Sequence, residues 1–385
     1  MESPSLPVTA KDWTSTSLHR VLCMQGGEGD VSYVNNSDSQ ALAITLSKPI
    51  LISSLQSIKL FTSPLIRIAD LGCATGSNTF DTVDTVVETL RGLFTAVYGD
   101  GSPEFEAFFC DLPSNDFNML FRLLFEKQKV DSCKYFAGGV AGSFYDRLFP
   151  RGTIHVAVSL SALHWLSKIP EKVLEKGSRT WNKGKTWIEG TKKEVVDAYA
   201  EQSDKDLDDF LKCRKEEMVE GGVLFVLMGG RPSGSSSQFG DQDTRAKHPF
   251  TTTMEQAWQD LIDEGLIDEE TRDGFNIPAY MRSPEEVAAG VDRIGGFKIE
   301  KMEYMKIVEY SDEKHEEWKN DPVSYGRART NLVQAAIRPM VEVYLGPDLC
   351  DELFKRYESR VSTTQEFLHI TCFFGVVAFS AIRLG

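Results

Sequence analysis

The chain has 385 residues, 42 Lys and Arg against 57 Asp and Glu, a net charge of −15, and 41% hydrophobic and 26% charged residues. These proportions exclude a disordered, collagenous or low-complexity chain and provide for one large or two medium domains with ample core. An acidic balance without a Lys/Arg-rich stripe speaks against nucleic acid or an anionic membrane as partner, and leaves the substrate open.

The chain begins MESPSLPVTAKDW, with no basic segment followed by an apolar core, so no signal peptide is expected. Cys23, Cys73, Cys110, Cys133, Cys213, Cys350 and Cys372 are odd in number and scattered, without CxxC or Cys/His spacing. Neither a zinc site nor a disulfide framework is indicated, and a soluble protein of a reducing compartment, the cytoplasm, is expected. Ile66 to Leu71 reads as a strand. Phe80, Val83, Val86, Val87, Leu90, Leu93 and Phe94 then mark one face of a helix. Phe105 to Cys110 reads as a second strand and His155 to Leu160 as a third. Leu207, Phe210, Leu211, Met218 and Val219 mark a helix ended by Gly221-Gly222, and Val223 to Met228 reads as a buried strand. Gly229 to Arg245 is a surface loop by composition. From Thr251 to about Lys355 charged helical stretches dominate, read as a helical lobe over the sheet's carboxyl edge. Phe367 to Ile382 reads as a terminal strand pair; its most apolar part, Cys372 to Ile382, is about half the ~20 residues of a membrane-spanning helix. Near-continuous apolar strands alternating with helices imply an α/β fold, a Rossmann-like sheet with helices on both faces plus a mainly helical cap lobe.

The most informative local feature is Asp70-Leu71-Gly72-Cys73-Ala74-Thr75-Gly76-Ser77-Asn78-Thr79. A strand runs into a turn with two glycines, then into a helix that Ser77, Asn78 or Thr79 can cap. At a strand's carboxyl end this is where open α/β sheets bind nucleotides. The pattern is DLGxxxG, not GxGxxG or GxxxxGK[ST], so it suits a nucleoside with an amino-acid tail, such as S-adenosylmethionine, better than a pyrophosphate. A structural strand–helix turn is the other reading of the same residues. Asp111, ending the second strand, is either a turn or N-cap Asp beside Pro113 or an acceptor for both hydroxyls of a ribose. The absence of GxGxxG disfavours a nicotinamide dehydrogenase.

Longer strings carry the reading further: Met24-Gln25-Gly26-Gly27 with Ser32-Tyr33 and Asn36-Ser37; Asp111 to Asn118; Gly142-Ser143-Phe144-Tyr145 with Arg147 to Pro150; Ser161 to Ser167; and Phe275-Asn276-Ile277-Pro278. In this order the chain, from about Val21 onward, resembles the plant SABATH family of S-adenosylmethionine-dependent methyltransferases of small carboxylic acids and xanthine alkaloids. The stretch from Trp181 to Gly234, with KHPFTTTMEQAWQDLIDEGLI and GFKIEKME, is most similar to the family's gibberellin carboxyl methyltransferases. The resemblance implies a cofactor-binding core over residues 42–245, with the sheet completed by about 290–310 and 360–385. The N-terminal segment 1–41 and a helical cap over 246–355 would then form the substrate pocket.

It also implies cofactor contacts from Tyr33, Ser37, Asp70, Gly72, Cys73, Asn78, Asp111, Leu112, Ser143 and Phe144. Gln40, His164 and Trp165 would surround the substrate carboxylate. Asn182, Asp273, Phe275 (through its backbone carbonyl) and Asn276 match a peripheral magnesium site of some members. Relatives are commonly homodimers. Two positions depart from many members: Gln25 stands where a Lys can pair with the carboxylate, and Ser161 stands where readers of small aromatic acids carry a bulkier residue, leaving room for a tetracyclic acid.

Methylation of a carboxylate needs no general base, because its pKa near ~4 leaves it ionised. No catalytic acid or base is therefore assigned, and rate should come from alignment and exclusion of water. Without the resemblance, His164 and Trp165 would read as packing residues. The acidic runs Asp204–Asp209 and Asp268–Asp273 read as solvated helix surface, and His19, His248, His315 and His369 stand apart. Met302, Tyr304 and Met305 read as core or interface. The function implied is esterification of gibberellins, inactivating the hormone. The rivals are another family acid (jasmonate, salicylate or indole-acetate type), xanthine N-methylation, and a non-catalytic cofactor- or hormone-binding protein.

Overall fold

The computed structural model describes residues 22–59, 61–130, 134–235, 238, 249–369 and 372–385. Most of the Gly-rich loop before Arg245, the first 21 residues, Cys133, His19 and His248 lie outside the described residues. A seven-stranded sheet runs in the order β3-β2-β1-β4-β5-β7-β6. Its strands are β1 (Leu65–Leu71), β2 (Glu104–Asp111), β3 (Phe136–Ala141), β4 (Ile154–Leu160), β5 (Met218–Gly229), β6 (Phe297–Val308) and β7 (Phe373–Arg383). Only β7 is reversed, antiparallel to β5 and β6. The order changes direction between β1 and β4, and the carboxyl ends of these neighbours open the crevice in which open α/β sheets bind ligands.

Side-chain alternation sorts the strands onto two cores. On one face Ile66, Ile68, Val156, Val158, Val223, Phe225 and Leu227 pack with α1 (Asp38–Ser57), α2 (Ser77–Tyr98) and α3 (Phe117–Val130). The predicted stripe on α2 is the one buried. On the other face Ala69, Leu71, Ala157, Leu224, Val226 and Met228 meet Leu207, Phe210 and Leu211 of α5 (Lys193–Glu217) and Val287 and Val291 of α8 (Pro284–Ile294); α4 is the short helix Glu171–Leu174. Over the carboxyl edge a third core, with Trp258, Phe275, Val333, Ile337 and Tyr357 fully buried or nearly so, joins α6 (Pro249–Asp263), α9 (Asp312–Trp318), α10 (Pro322–Leu345) and α11 (Pro347–Thr363), with the short α7 (Glu269–Asp273) following α6 in the chain. Among the described residues no helix is long and apolar enough to cross a membrane.

Several expectations change. His155–Leu160 belongs to the fourth strand, because the edge strand β3, FAGGVA, is short, Gly-rich and lacks the apolar run that marks its neighbours. Residues 218 and 219 belong to β5, not to α5: the chain turns extended at Met218 (φ −82°, ψ 144°). Gly221 (φ +77°) sits in an irregular stretch of that strand where the β4 pairing jumps from Met218 to Val223. The terminal segment is one strand, β7, not a pair. Met302, Tyr304 and Met305 pack against the core, as read.

Candidate active site

The turn after β1 is held from β2. The N–H groups of Gly72 and Cys73 donate to the Cys110 carbonyl at 2.8 and 3.1 Å. Gly72 adopts φ +86°, and a Cβ there would lie 2.4 Å from Ala162 Cβ, so only glycine lets the turn approach the loop after β4. Ala74 is also left-handed (φ +48°). It is fixed from both sides, its N–H donating to Asp111 Oδ2 at 2.8 Å and its carbonyl accepting from Asn115 Nδ2 at 3.1 Å. Asp111 Oδ1 accepts the Leu112 N–H at 2.7 Å; burial raises this carboxyl to about 6. Each of its oxygens keeps a second lone pair for a ligand hydroxyl.

A cleft of about 690 Å³ opens above this turn. It is lined by Tyr33, Gly72, Asp111, Leu112, Ser143 and Phe144 of the expected cofactor set, together with Ala74, Tyr145, Leu160, Ala162 and the unpredicted Leu22, Cys23 and Met24. Ser37, Asp70, Cys73 and Asn78 do not line it. Ser37 and Asn78 hydrogen-bond each other at 3.3 Å, behind Tyr33, whose phenol burial pushes up to about 12. Cys73 is buried. Asp70 lies under the turn and accepts from the Thr79 hydroxyl, with burial raising its carboxyl to about 7. Thr79 is thereby committed, and α2 starts from Gly76 with no side-chain cap, contrary to expectation.

The loop bearing Ser143 and Phe144 is gripped by a charged pair that no sequence motif marks. Arg214 and Glu217, one turn apart on α5 and 1% exposed each, pair at 2.7 Å. Arg214 donates to the carbonyls of Phe144 (3.0 Å) and Asp146 (3.1 Å). Glu217 accepts the N–H groups of Leu148 (2.6 Å) and Phe149 (3.1 Å).

A second chamber, about 680 Å³, adjoins the cleft and shares Met24, Tyr33, Ser161 and Trp165 with it. It continues through Gln40, His164, Trp187, Met281, Ala336 and Phe374 into a third cavity, walled by Ile277, Leu332, Val333 and Ile337, with the Glu309–Arg329 ion pair on one side. Trp165 borders all three. Ser161, where the chain leaves β4, is left-handed (φ +52°) and tied by its N–H to Leu227 O at 2.7 Å. Such backbone strain is retained where the surroundings over-determine it.

The segment Ser161–Ser167 is pinned along its length. Tyr280 N–H donates to the His164 carbonyl (2.9 Å) and Leu166 N–H to the Pro278 carbonyl (2.7 Å), so two of the resembling motifs pair with each other. Arg282 donates to the Leu163 carbonyl and to the Ser203 carbonyl at 2.8 Å. Asp206 accepts from the N–H and hydroxyl of Ser167 at 2.8 and 2.6 Å. Asp206 is buried, so the 204–209 run is not wholly solvated surface. The spacing of Asp206, Phe210, Arg214 and Glu217 along the apolar face of α5 was the available signal.

His164 Nδ1 accepts the Gly229 N–H at 3.2 Å. Burial, then the Arg282 charge, lowers this imidazole to about 4. The ring is therefore neutral with its proton on Nε2, a donor toward the chamber. The Trp165 indole N–H has no protein acceptor among the described residues. Gln25 corrects an expectation: its main chain is engaged on both sides, with Ala335 O (2.9 Å) and Tyr33 N (2.8 Å). Its side chain lines none of the three cavities, and neighbouring Met24 does.

Of the expected magnesium ligands, the one carboxylate is already paired. Asp273, the one carboxylate of the set, is buried against Arg272 at 3.0 Å and accepts the Gly184 N–H at 2.9 Å. Asn276 Oδ1 receives Asn182 Nδ2 at 2.7 Å, and Asn276 Nδ2 is a buried donor without acceptor among the described residues. A hard dication needs several free oxygen ligands; here Arg272 offsets the one carboxylate's charge, and Asp273 Oδ1 and Asn276 Oδ1 are already engaged. Phe275 packs on Trp258 at 5.2 Å. Among the described residues no group of three His, Cys, Asp or Glu could hold a metal.

Residues 19–383 match the family model described as SAM dependent carboxyl methyltransferase. The chain belongs to this family. The carboxyl methyltransferase is 86% identical to gibberellic acid methyltransferase 2 of Arabidopsis thaliana over all of both chains. It is 60% identical to gibberellic acid methyltransferase 1 of the same plant, over 96% of this chain and all of that one. Among solved structures, loganic acid methyltransferase with SAH is similar at TM-score 0.80 and 31% identity, over 94% of this chain and 99% of that one. S-adenosylmethionine is the methyl donor. The observed cleft suits it: the Gly72 cradle leaves no room for a side chain, and Asp111 offers paired acceptors.

Proposed function

We propose that this methyltransferase esterifies the carboxylate of gibberellins, giving the methyl ester and S-adenosylhomocysteine and so removing the charge by which the hormone is read. The bound cofactor supplies an electrophilic methyl group on a sulfonium. The chain's residues supply alignment. His164, Trp165 and Gln40 offer neutral donors to a carboxylate, while Met24, Tyr33 and Ser161, shared by cleft and chamber, bound the passage between them. No base is needed, since the nucleophile is already ionised. The observation that carries the reading is the apolar cavity behind the donor-lined chamber, walled by Ile277, Leu332, Val333, Ala336 and Ile337, which suits a polycyclic hydrocarbon body; the names of the two Arabidopsis relatives select gibberellin among such acids.

The enzyme acts on a free small molecule in the cytoplasm, as a homodimer, without nucleic acid or membrane. The test is kcat/KM over a panel of acids with purified protein. Gibberellins are expected to exceed jasmonate, salicylate and indole acetate by at least an order of magnitude, and a reversed order would defeat the substrate assignment.

A further inference from the structure

Gln238 is the one described residue between positions 235 and 249, and it is held in the site. It is 3% exposed. Its N–H donates to Glu189 Oε2 at 2.6 Å, and its side-chain Oε1 accepts the Met281 N–H at 2.7 Å. The second bond fixes the amide: with Oε1 facing a donor, the NH2 group must face the other way. That NH2 is buried with no acceptor among the described residues, and Gln238 lines the same chamber as Gln40, Ser161, His164 and Trp165. Among the described residues that chamber has no charged lining residue, so an anion entering it meets neutral donors only. An unpaired buried amide costs folding free energy, and that cost is recovered when an acceptor arrives.

We propose that Gln238 is a substrate-binding residue, its Nε2–H donating to the carboxylate that is methylated, alongside His164 Nε2–H and the Trp165 indole N–H. This takes over the task expected of Gln25, which does not line the chamber. It rests on the carboxyl-methyltransferase reading and applies to whichever acid is the substrate. A hydrogen bond to a charged group changes affinity by about tenfold or more. It also explains how a chain of net charge −15 holds an anion without a cation in contact.

Gln238→Glu separates this role from a structural one. Glu keeps the oxygen that receives Met281 N–H and replaces the chamber-facing donor by an oxygen that repels a carboxylate. The variant is expected to lose at least a hundredfold in kcat/KM at pH 8 and to recover part of it at pH 6, as the introduced acid takes up a proton. Gln238→Met is expected to raise the acid KM about tenfold. In both, SAH affinity by calorimetry should stay within twofold of wild type. Wild-type acid KM in Gln238→Glu overturns the proposal. So does an equal loss of SAH and acid binding in both variants, which assigns Gln238 to anchoring Met281. The assay uses the acid that wild type turns over, so failure of gibberellin as substrate and failure of Gln238 as donor are separate results.

Discussion

Replacing Gly72 by Ala tests the geometry on which the cofactor cleft depends. The added methyl carbon would sit 2.4 Å from Ala162 Cβ and 3.4 Å from Phe144 Cε1. Carbons in contact lie at roughly 3.5–4.0 Å, so the first approach is about 1 Å too short. Ala162 Cβ is fixed to its backbone and cannot rotate aside; relief must move the chain beside Ser161, already at φ +52°. Overpacking of this kind costs about 1–3 kcal/mol, and holding Ala at φ +86° adds about 1–2 kcal/mol. A loss of roughly 2–5 kcal/mol in stability is expected, with SAH affinity weakened at least tenfold because Gly72 lines the cleft. Thermal denaturation and calorimetric titration with SAH measure both. Ala162→Gly in the Gly72→Ala background removes the clash but not the backbone cost, and should restore about half of the lost stability. Gly72→Ala with wild-type Tm and SAH affinity would refute the reasoning, as would a double variant no better than the single.

Trp165→Phe keeps most of the ring and removes the indole donor; the acid KM should rise about tenfold with Tm little changed, and an unchanged KM would remove Trp165 from carboxylate binding. His164 has its folded pKa lowered from 6.5 to about 4, so its contribution to stability is complete above pH 6.5 and is lost as the pH falls toward 4. The pH profile of kcat/KM should accordingly show no His164 inflection near 6.5. An inflection there that disappears in His164→Gln would contradict the neutral-donor role. Because Arg272 neutralises Asp273, dialysis against EDTA should leave Tm and kcat unchanged; a loss restored by magnesium would show that these residues do hold the ion.

The cofactor half of the site was legible because backbone chemistry writes it locally. Gly72 and Asp111 sit at strand ends whose apolar runs are unmistakable, and the cleft forms where those ends meet. Ser37, Asp70, Cys73 and Asn78 are close in sequence or space yet stand behind the lining, since a motif specifies a neighbourhood and not which side chain turns toward the ligand. Gln25 shows the same limit: one residue along the chain, Met24 occupies the wall. The supports were the hardest to foresee. Asp206, Arg214, Glu217 and Arg282 act on backbone carbonyls and N–H groups remote in sequence, and a charged residue on a helix reads as solvated until its burial is known. Strand β3, with two glycines and an exposed edge, gave no period to follow. The acidic residues expected on the surface at 268–273 include Asp273, buried by its pairing with Arg272.

The measurement that bears most directly on the whole account is transfer of a labelled methyl group from S-adenosylmethionine to gibberellic acid by the purified protein, with the product resolved by mass spectrometry. The account predicts one labelled methyl per molecule, carried as a carboxyl ester that mild base hydrolyses back to the acid. Label on a hydroxyl or ring carbon, or no labelled gibberellin while another acid is esterified, would contradict it.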